Sequence, residues 1–208
     1  MLKEYLEQTY GYNEPIFISE IRLKGVNDNA LRQYFKRMIK SGDLARFDTG
    51  IYYLPKASRL LKKSYLDPMK VIIRKYIQNQ AKTIGYFSGA TFANQISLTT
   101  QMPATLEIVT MKEATKGRTV TIGSQTVRLK RPSVEITSGN AGLLQFLDAV
   151  AQAEKYSELS EPEIAALLRN YAKKQQYSRN LLSDVLPAVT GATAKKLIEW
   201  GIIYEFTF

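Results

Sequence analysis

Six residues between positions 29 and 40 carry the groups that proteins use to read DNA: Asn29, Arg32, Gln33, Lys36, Arg37 and Lys40. On a helix at ~100° per residue they fall in one arc of roughly 140°. Ala30, Leu31, Tyr34, Phe35, Met38 and Ile39 take the other side. The polar face then holds four cations, two amides and no acid. An Arg guanidinium can donate two parallel hydrogen bonds to guanine in the major groove. Asn and Gln amides can bond adenine in the same two-point manner. Lys and Arg farther along suit phosphates. In a helix-turn-helix, the N-terminal part of the recognition helix meets base edges. That assigns Asn29, Arg32 and Gln33 to bases, and Lys36, Arg37 and Lys40 to the backbone. Most charged helix faces are only solvated surface. The missing acids, and the hairpin that follows, argue here for DNA.

A helix with this task needs defined ends and a partner to pack on. Asn27 or Asp28 starts it, and Gly42 stops it after Ser41. Two shorter helices are expected before it. One runs from Leu2 to Tyr10 and ends near Gly11. The other runs from Phe17 to Leu23, with Ser19 as its cap and Gly25 as its stop. After it, "GDLARFDTGIYYLP" (Gly42 to Pro55) reads as a β-hairpin. Asp48-Thr49-Gly50 makes the tight loop, with Gly50 in the left-handed region. Arg46 and Thr49 are placed to touch a phosphate or enter a minor groove. Ile51, Tyr52, Tyr53 and Leu54 read as core. Three short helices followed by a basic-edged hairpin is the order of a winged helix-turn-helix.

The rest of the chain changes character. Residues 56–63, "KASRLLKK", read as a linker or a short basic helix. A second block opens near Tyr65 with Asp67-Pro68, a cap followed by Pro at the first helical position. Val71, Ile72, Ile73, Tyr76 and Ile77 keep mostly to one side of that helix. "SGATFANQIS" is a further short helix, with Ser88 as its cap. Beyond Pro103 the period falls to two, and "ATLEIVT", "RTVTI" and "TVRLKR" are strands. Gly123-Ser124 is a two-residue turn that sets Val120, Ile122, Val127 and Leu129 on one face. Thr119, Thr121, Thr126, Arg128 and Lys130 lie on the other. From Gly139 the pattern is helical throughout. Residues 143, 144, 147 and 150 make a buried stripe, and Ser160 with Glu163 a capping box.

The expected fold class is therefore α+β. Residues 1–56 form a winged helix-turn-helix DNA-binding domain. Residues 64–137 form a core of helices and antiparallel strands. Residues 138–208 form a helical region that can share one domain with that core.

Composition narrows the chemistry. The 208 residues contain no Cys and no His. Disulfides, thiolate metal sites, Cys nucleophiles and His general bases are thereby excluded. Asp43 and Asp48 flank the first hairpin strand without making a metal site. No Gly-rich phosphate loop is present. The expectation is no enzyme, no catalytic residue, no metal and no cofactor. No apolar run reaches ~18 residues, and charge stands where a signal peptide needs its apolar region, so a cytoplasmic protein with no membrane partner is expected. The formal net charge is +10. Residues 1–63 hold 12 basic and 7 acidic residues, a balance of +5. Residues 64–137 hold 10 and 4, a balance of +6, and residues 138–208 hold 7 and 8, a balance of −1. A polyanion is the fitting partner for the first two thirds. Arg118, Arg128, Lys130 and Arg131 are candidates for a secondary basic surface. They suit the exposed face of a hairpin equally well.

Three stretches together resemble a known family. "SGDLARFDTGIYYLP" is similar to the "eGkLxRlxrGvYy.P" pattern of type IV, abortive-infection (AbiEi-like) antitoxins. "GYFSGATFANQISLTTQMPATLEIVT" resembles their core, which opens on Ser-Gly and closes on Thr-Gln-x-Pro, at Ser88, Gly89, Ala93, Asn94, Leu98, Thr100, Gln101 and Pro103. "GRTVTIGSQTVRLKR" is similar to their R-x-(V/I)-x-(I/V)-G hairpin. The likeness covers about residues 15–135, and the helical tail matches only in type. It implies an antitoxin acting in phage defence that counteracts a nucleotidyltransferase-like toxin, with direct contact between the two not required. It also implies that the winged helix represses the shared promoter, double-stranded DNA carrying inverted repeats. The alternative is a winged-helix transcription regulator with no toxin partner, whose C-terminal region senses a ligand or a protein. Within the second motif the residues themselves favour a structural role: Ser88 as a cap, the Thr-Thr-Gln run bonding turn backbone, and Pro103 fixing the start of a strand.

Overall fold

The computed structural model describes residues 2–57, 63–79 and 81–207. The expected linker thus lies largely outside the described residues. The chain is α+β and divides into two units: Met1–Arg74 with Ile122–Ser124, and Lys75–Thr121 with Gln125–Phe208.

The first unit begins with α1 (Leu2–Tyr10). The helix expected over Phe17–Leu23 is absent. Ile16–Phe17 forms a strand, β1, followed by a 3₁₀ turn at Ile18–Glu20. The cause is tertiary. Ile16 and Phe17 pair antiparallel with Tyr52 and Ile51, and Ile18 N donates to Gly50 O at 3.0 Å. The few residues left before Gly25 are too few to nucleate a helix. Then comes α2 (Asp28–Ser41). Asn27 caps it by accepting from Ala30 N at 2.8 Å, and Gly42 ends it. The hairpin strands β2 (Ala45–Asp48) and β3 (Ile51–Tyr53) complete a three-stranded sheet in the order β1-β3-β2. A bulge separates Arg46 from Asp48, and Gly50 turns the loop at φ 73°, a backbone conformation that side chains other than Gly rarely tolerate. Leu6, Ile16, Ile21, Leu31, Phe35, Leu44 and Leu54 make one core. Asp67 caps α3 (Pro68–Ile72), which continues as a π-helical turn over Ile73–Ile77.

In the second unit two short strands, β4 (Gln78–Asn79) and β5 (Lys82–Thr83), pair with each other. β6 (Gly85–Ser88) leads into α4 (Gly89–Gln95). β7 (Thr105–Thr110), β8 (Arg118–Ile122) and β9 (Gln125–Lys130) follow, and the sheet order is β6-β7-β9-β8. β6 and β7 are antiparallel, and Gly123-Ser124 joins β8 to β9 as expected. β7 and β9, however, run parallel, so the sheet is mixed. The long connection after β7 lets the hairpin dock its second strand, not its first, on the sheet. Leu106 and Ile108 lie beside Val127 and Leu129 on one face, all four buried.

Four helices close the unit: α5 (Ala141–Tyr156), α6 (Glu161–Gln175), α7 (Arg179–Val185) and α8 (Gly191–Glu199). The stripe Leu143, Leu144, Leu147 and Val150 is buried with Phe92, Val109, Leu168 and Trp200 in one core. Ser160 and Glu163 form the expected capping box. Phe146 has no exposed surface and stacks on Tyr171 at 5.6 Å.

Candidate nucleic-acid interface

The α2 face is built by burial of its opposite side. Leu31 and Phe35 are 4% and 1% exposed. Burying side chains of that size contributes about 1.5–3 kcal/mol each. Tyr52 of β3 meets the Phe35 ring edge-on at 4.9 Å and so couples the hairpin to the helix. With that side anchored, Asn29, Arg32, Gln33, Lys36, Arg37 and Lys40 are all exposed. Among the described residues no carboxylate pairs with any of the four cations. Their charge is therefore available to a partner.

The helical period assigns Tyr34 and Ile39 to the apolar side. They are instead 43% and 39% exposed, at the border of the polar face. The Arg37 guanidinium lies 6.0 Å from the centre of the Tyr34 ring. Tyr34 thus joins the candidate surface.

In the hairpin Arg46 and Thr49 are exposed, and they bond each other. Arg46 Nη2 donates to Thr49 Oγ1 at 3.1 Å, and its Nε donates to Asp48 O at 3.3 Å. Asp48 Oδ1 accepts from Thr49 N at 2.6 Å. The tip is thus a braced loop that holds the guanidinium in place. Ile51 and Leu54 are buried and Tyr52 and Tyr53 half-buried, matching the core assignment.

The acids that flank the first hairpin strand have partners within the protein. Asp43 accepts from Lys3 Nζ and from Ser41 Oγ, both at 2.7 Å. Those two bonds hold its carboxyl below the usual range. Among the described residues no cluster of three His, Cys, Asp or Glu suits a metal.

The secondary basic set is divided. Arg118 Nε lies 2.9 Å from Glu113, and Lys130 Nζ lies 2.6 Å from Glu107. Arg131 donates to Ala114 O at 3.4 Å, and Arg128 is exposed. These four do not form a uniform patch of free charge.

The Ser88–Pro103 motif is structural in detail. Ser88 occupies the N-cap position of α4 but makes no cap bond. Its hydroxyl is oriented toward α5, where it donates to the Asp148 carboxylate in a charge-assisted bond. Gly89 lies at φ 55°, where side chains are strained, and a Cβ there would meet the Glu107 carboxylate. Asn94 donates to Thr99 O and Gln101 O, and Thr99 donates to Glu158 at 2.8 Å.

A family model matches residues 13–176, from just before β1 to the end of α6. The chain belongs to DUF6088, a family of unknown function. The DUF6088 span contains α2, the hairpin, the mixed sheet and the central helix α5, and it stops before α7. No curated protein matches the chain. Among the described residues no helix of this DUF6088 member is long and apolar enough to cross a membrane.

Proposed function

We propose that this chain is a cytoplasmic, DNA-binding antitoxin of the type IV, abortive-infection kind. It represses its own promoter through a winged helix-turn-helix and counteracts a nucleotidyltransferase-like toxin. The observation that carries the DNA half is the exposed face of α2: four cations and two amides, no acid, and an apolar back anchored on the hairpin through Phe35 and Tyr52. Arg32, with Asn29 and Gln33, reads base edges. Lys36, Arg37 and Lys40 hold phosphates, and the braced pair Arg46 and Thr49 reaches the backbone beside the groove. The antitoxin half rests on the resemblance of the hairpin, the Ser88–Pro103 stretch and the β8–β9 hairpin to the antitoxin patterns.

The test has two arms. Gel shift on the DNA upstream of the gene should give a complex that weakens as salt rises, through counterion release. No shift even at low salt ends the repressor half. Co-expression with the product of the neighbouring gene should restore growth. Persistent arrest ends the antitoxin half and leaves a plain transcription regulator.

A further inference from the structure

Between the loop after β7 and the segment leaving β9 lies an open cleft of about 440 Å³. Ala114, Thr115, Lys116, Arg131, Pro132 and Ser133 line it. That volume falls within the range of small-molecule sites, about 300–1,000 Å³. Its charged lining is two cations and no acid.

The loop is held from below by Glu113, whose residue is 3% exposed. Its carboxylate accepts from Thr115 N at 2.9 Å and from the Thr115 hydroxyl, and Arg118 Nε stands 2.9 Å away. The Thr115 proton is thereby committed inward, and the hydroxyl of Ser133 remains for a ligand. Arg131 reaches from the β9 side to Ala114 O at 3.4 Å. One of its five donors serves the loop and the rest are available. Among the described residues no carboxylate pairs with Lys116 or Arg131.

The neighbouring cations define the kind of ligand. Glu113 neutralises Arg118 and Glu107 neutralises Lys130, while the exposed Arg128 is outside the cleft lining, so the surface offers no unbroken track for a chain of phosphodiesters. It concentrates two positive charges in one concavity. A phosphate monoester carries about −1.5 to −2 charge at neutral pH, with three terminal acceptor oxygens. That matches two cations and a hydroxyl better than a singly charged diester does.

We infer that this cleft binds the dianionic phosphate of a small ligand, either free phosphate or an ester the size of a nucleoside monophosphate. Lys116 and Arg131 hold its oxygens, Ser133 donates to it, and Ala114 and Pro132 flank the organic part. The inference does not depend on DNA binding, because a chain that fails to shift DNA can still titrate a monophosphate.

Calorimetric titration of the full chain with adenosine monophosphate, and separately with inorganic phosphate, tests it. One molecule of ligand should bind per chain. Lys116→Ala and Arg131→Ala should each weaken binding about tenfold or more, the loss expected for one charge-assisted contact. Arg131→Lys should fall between. Lys174→Ala, at an exposed cation in the last turn of α6, should leave monophosphate binding unchanged. Tighter binding of the monophosphate than of phosphate assigns the ligand as an ester, and equal binding assigns it as free phosphate. No heat with either probe overturns the proposal. So does binding that survives both alanine variants. Loss of DNA affinity in those variants, with no monophosphate bound by the unaltered chain, overturns it in favour of a polymer surface.

Discussion

Glu107 on β7 and Lys130 on β9 meet at 2.6 Å across parallel strands, beside the first turn of α4. The Glu107 side chain is 12% exposed, and Tyr156 donates to it at 2.9 Å. Burial alone would raise its carboxyl. The bonds from Lys130, Tyr156 and the Ala90 N–H outweigh that and lower it. One carboxylate therefore joins two strands, α4 and α5.

Gly89→Ala should unsettle that junction. The residue sits at φ 55°, and the new methyl would stand where Glu107 Oε1 now lies. The backbone alone costs about 1–3 kcal/mol, and displacing the carboxylate adds to it. Urea denaturation should show the loss. A variant as stable as the parent would mean that Glu107 moves aside freely.

Acid should weaken the second unit through the same group. A carboxyl held below its ordinary value of 4.5 contributes stability that is fully present above that value. The contribution is lost as pH falls through the lowered folded value. Glu113 shifts in the same direction, chiefly through the Thr115 hydroxyl. Denaturation midpoints between pH 7 and pH 3 should fall below 4.5, and less steeply in Glu107→Gln. Parallel profiles for the two proteins would remove Glu107 from the account.

Arg32→Ala and Lys40→Ala should differ on DNA. The first should relax base preference and cost about 1–3 kcal/mol of specific binding. The second should weaken binding to every sequence and flatten the salt slope. Competition titrations against operator and unrelated DNA separate the two effects. Identical behaviour would mean that α2 does not enter the groove N-terminus first.

Asn27→Ala should cost the first unit about 1 kcal/mol, because it removes the cap that accepts from Ala30 N. Asn27→Gly should cost only a few tenths. Thermal melts of both variants against the parent give the comparison.

The parts legible in advance were those held by neighbours in sequence. Asn27 caps α2 three residues away, Ser160 and Glu163 cap α6, and Asp67-Pro68 opens α3. The polar face of α2 was legible for the same reason, since a 3.6-residue period is local. Phe17 reads locally as the start of a helix because its strand partner, Ile51, lies more than thirty residues away. Ser88 reads as a cap and holds that position without the cap bond, because its hydroxyl is oriented to donate to Asp148, sixty positions on.

Of the basic residues, the sequence alone determined how many there are and which of them share a helix or strand face. It did not determine which keep their charge for a partner. Folding brings Glu107 to Lys130 and Glu113 to Arg118, and it leaves Lys116 and Arg131 facing an open cleft. Charge availability depends on distances of a few ångströms between groups on different strands. Strand order and direction set those distances, and the tertiary packing alone decided that β7 lies beside β9 and parallel to it.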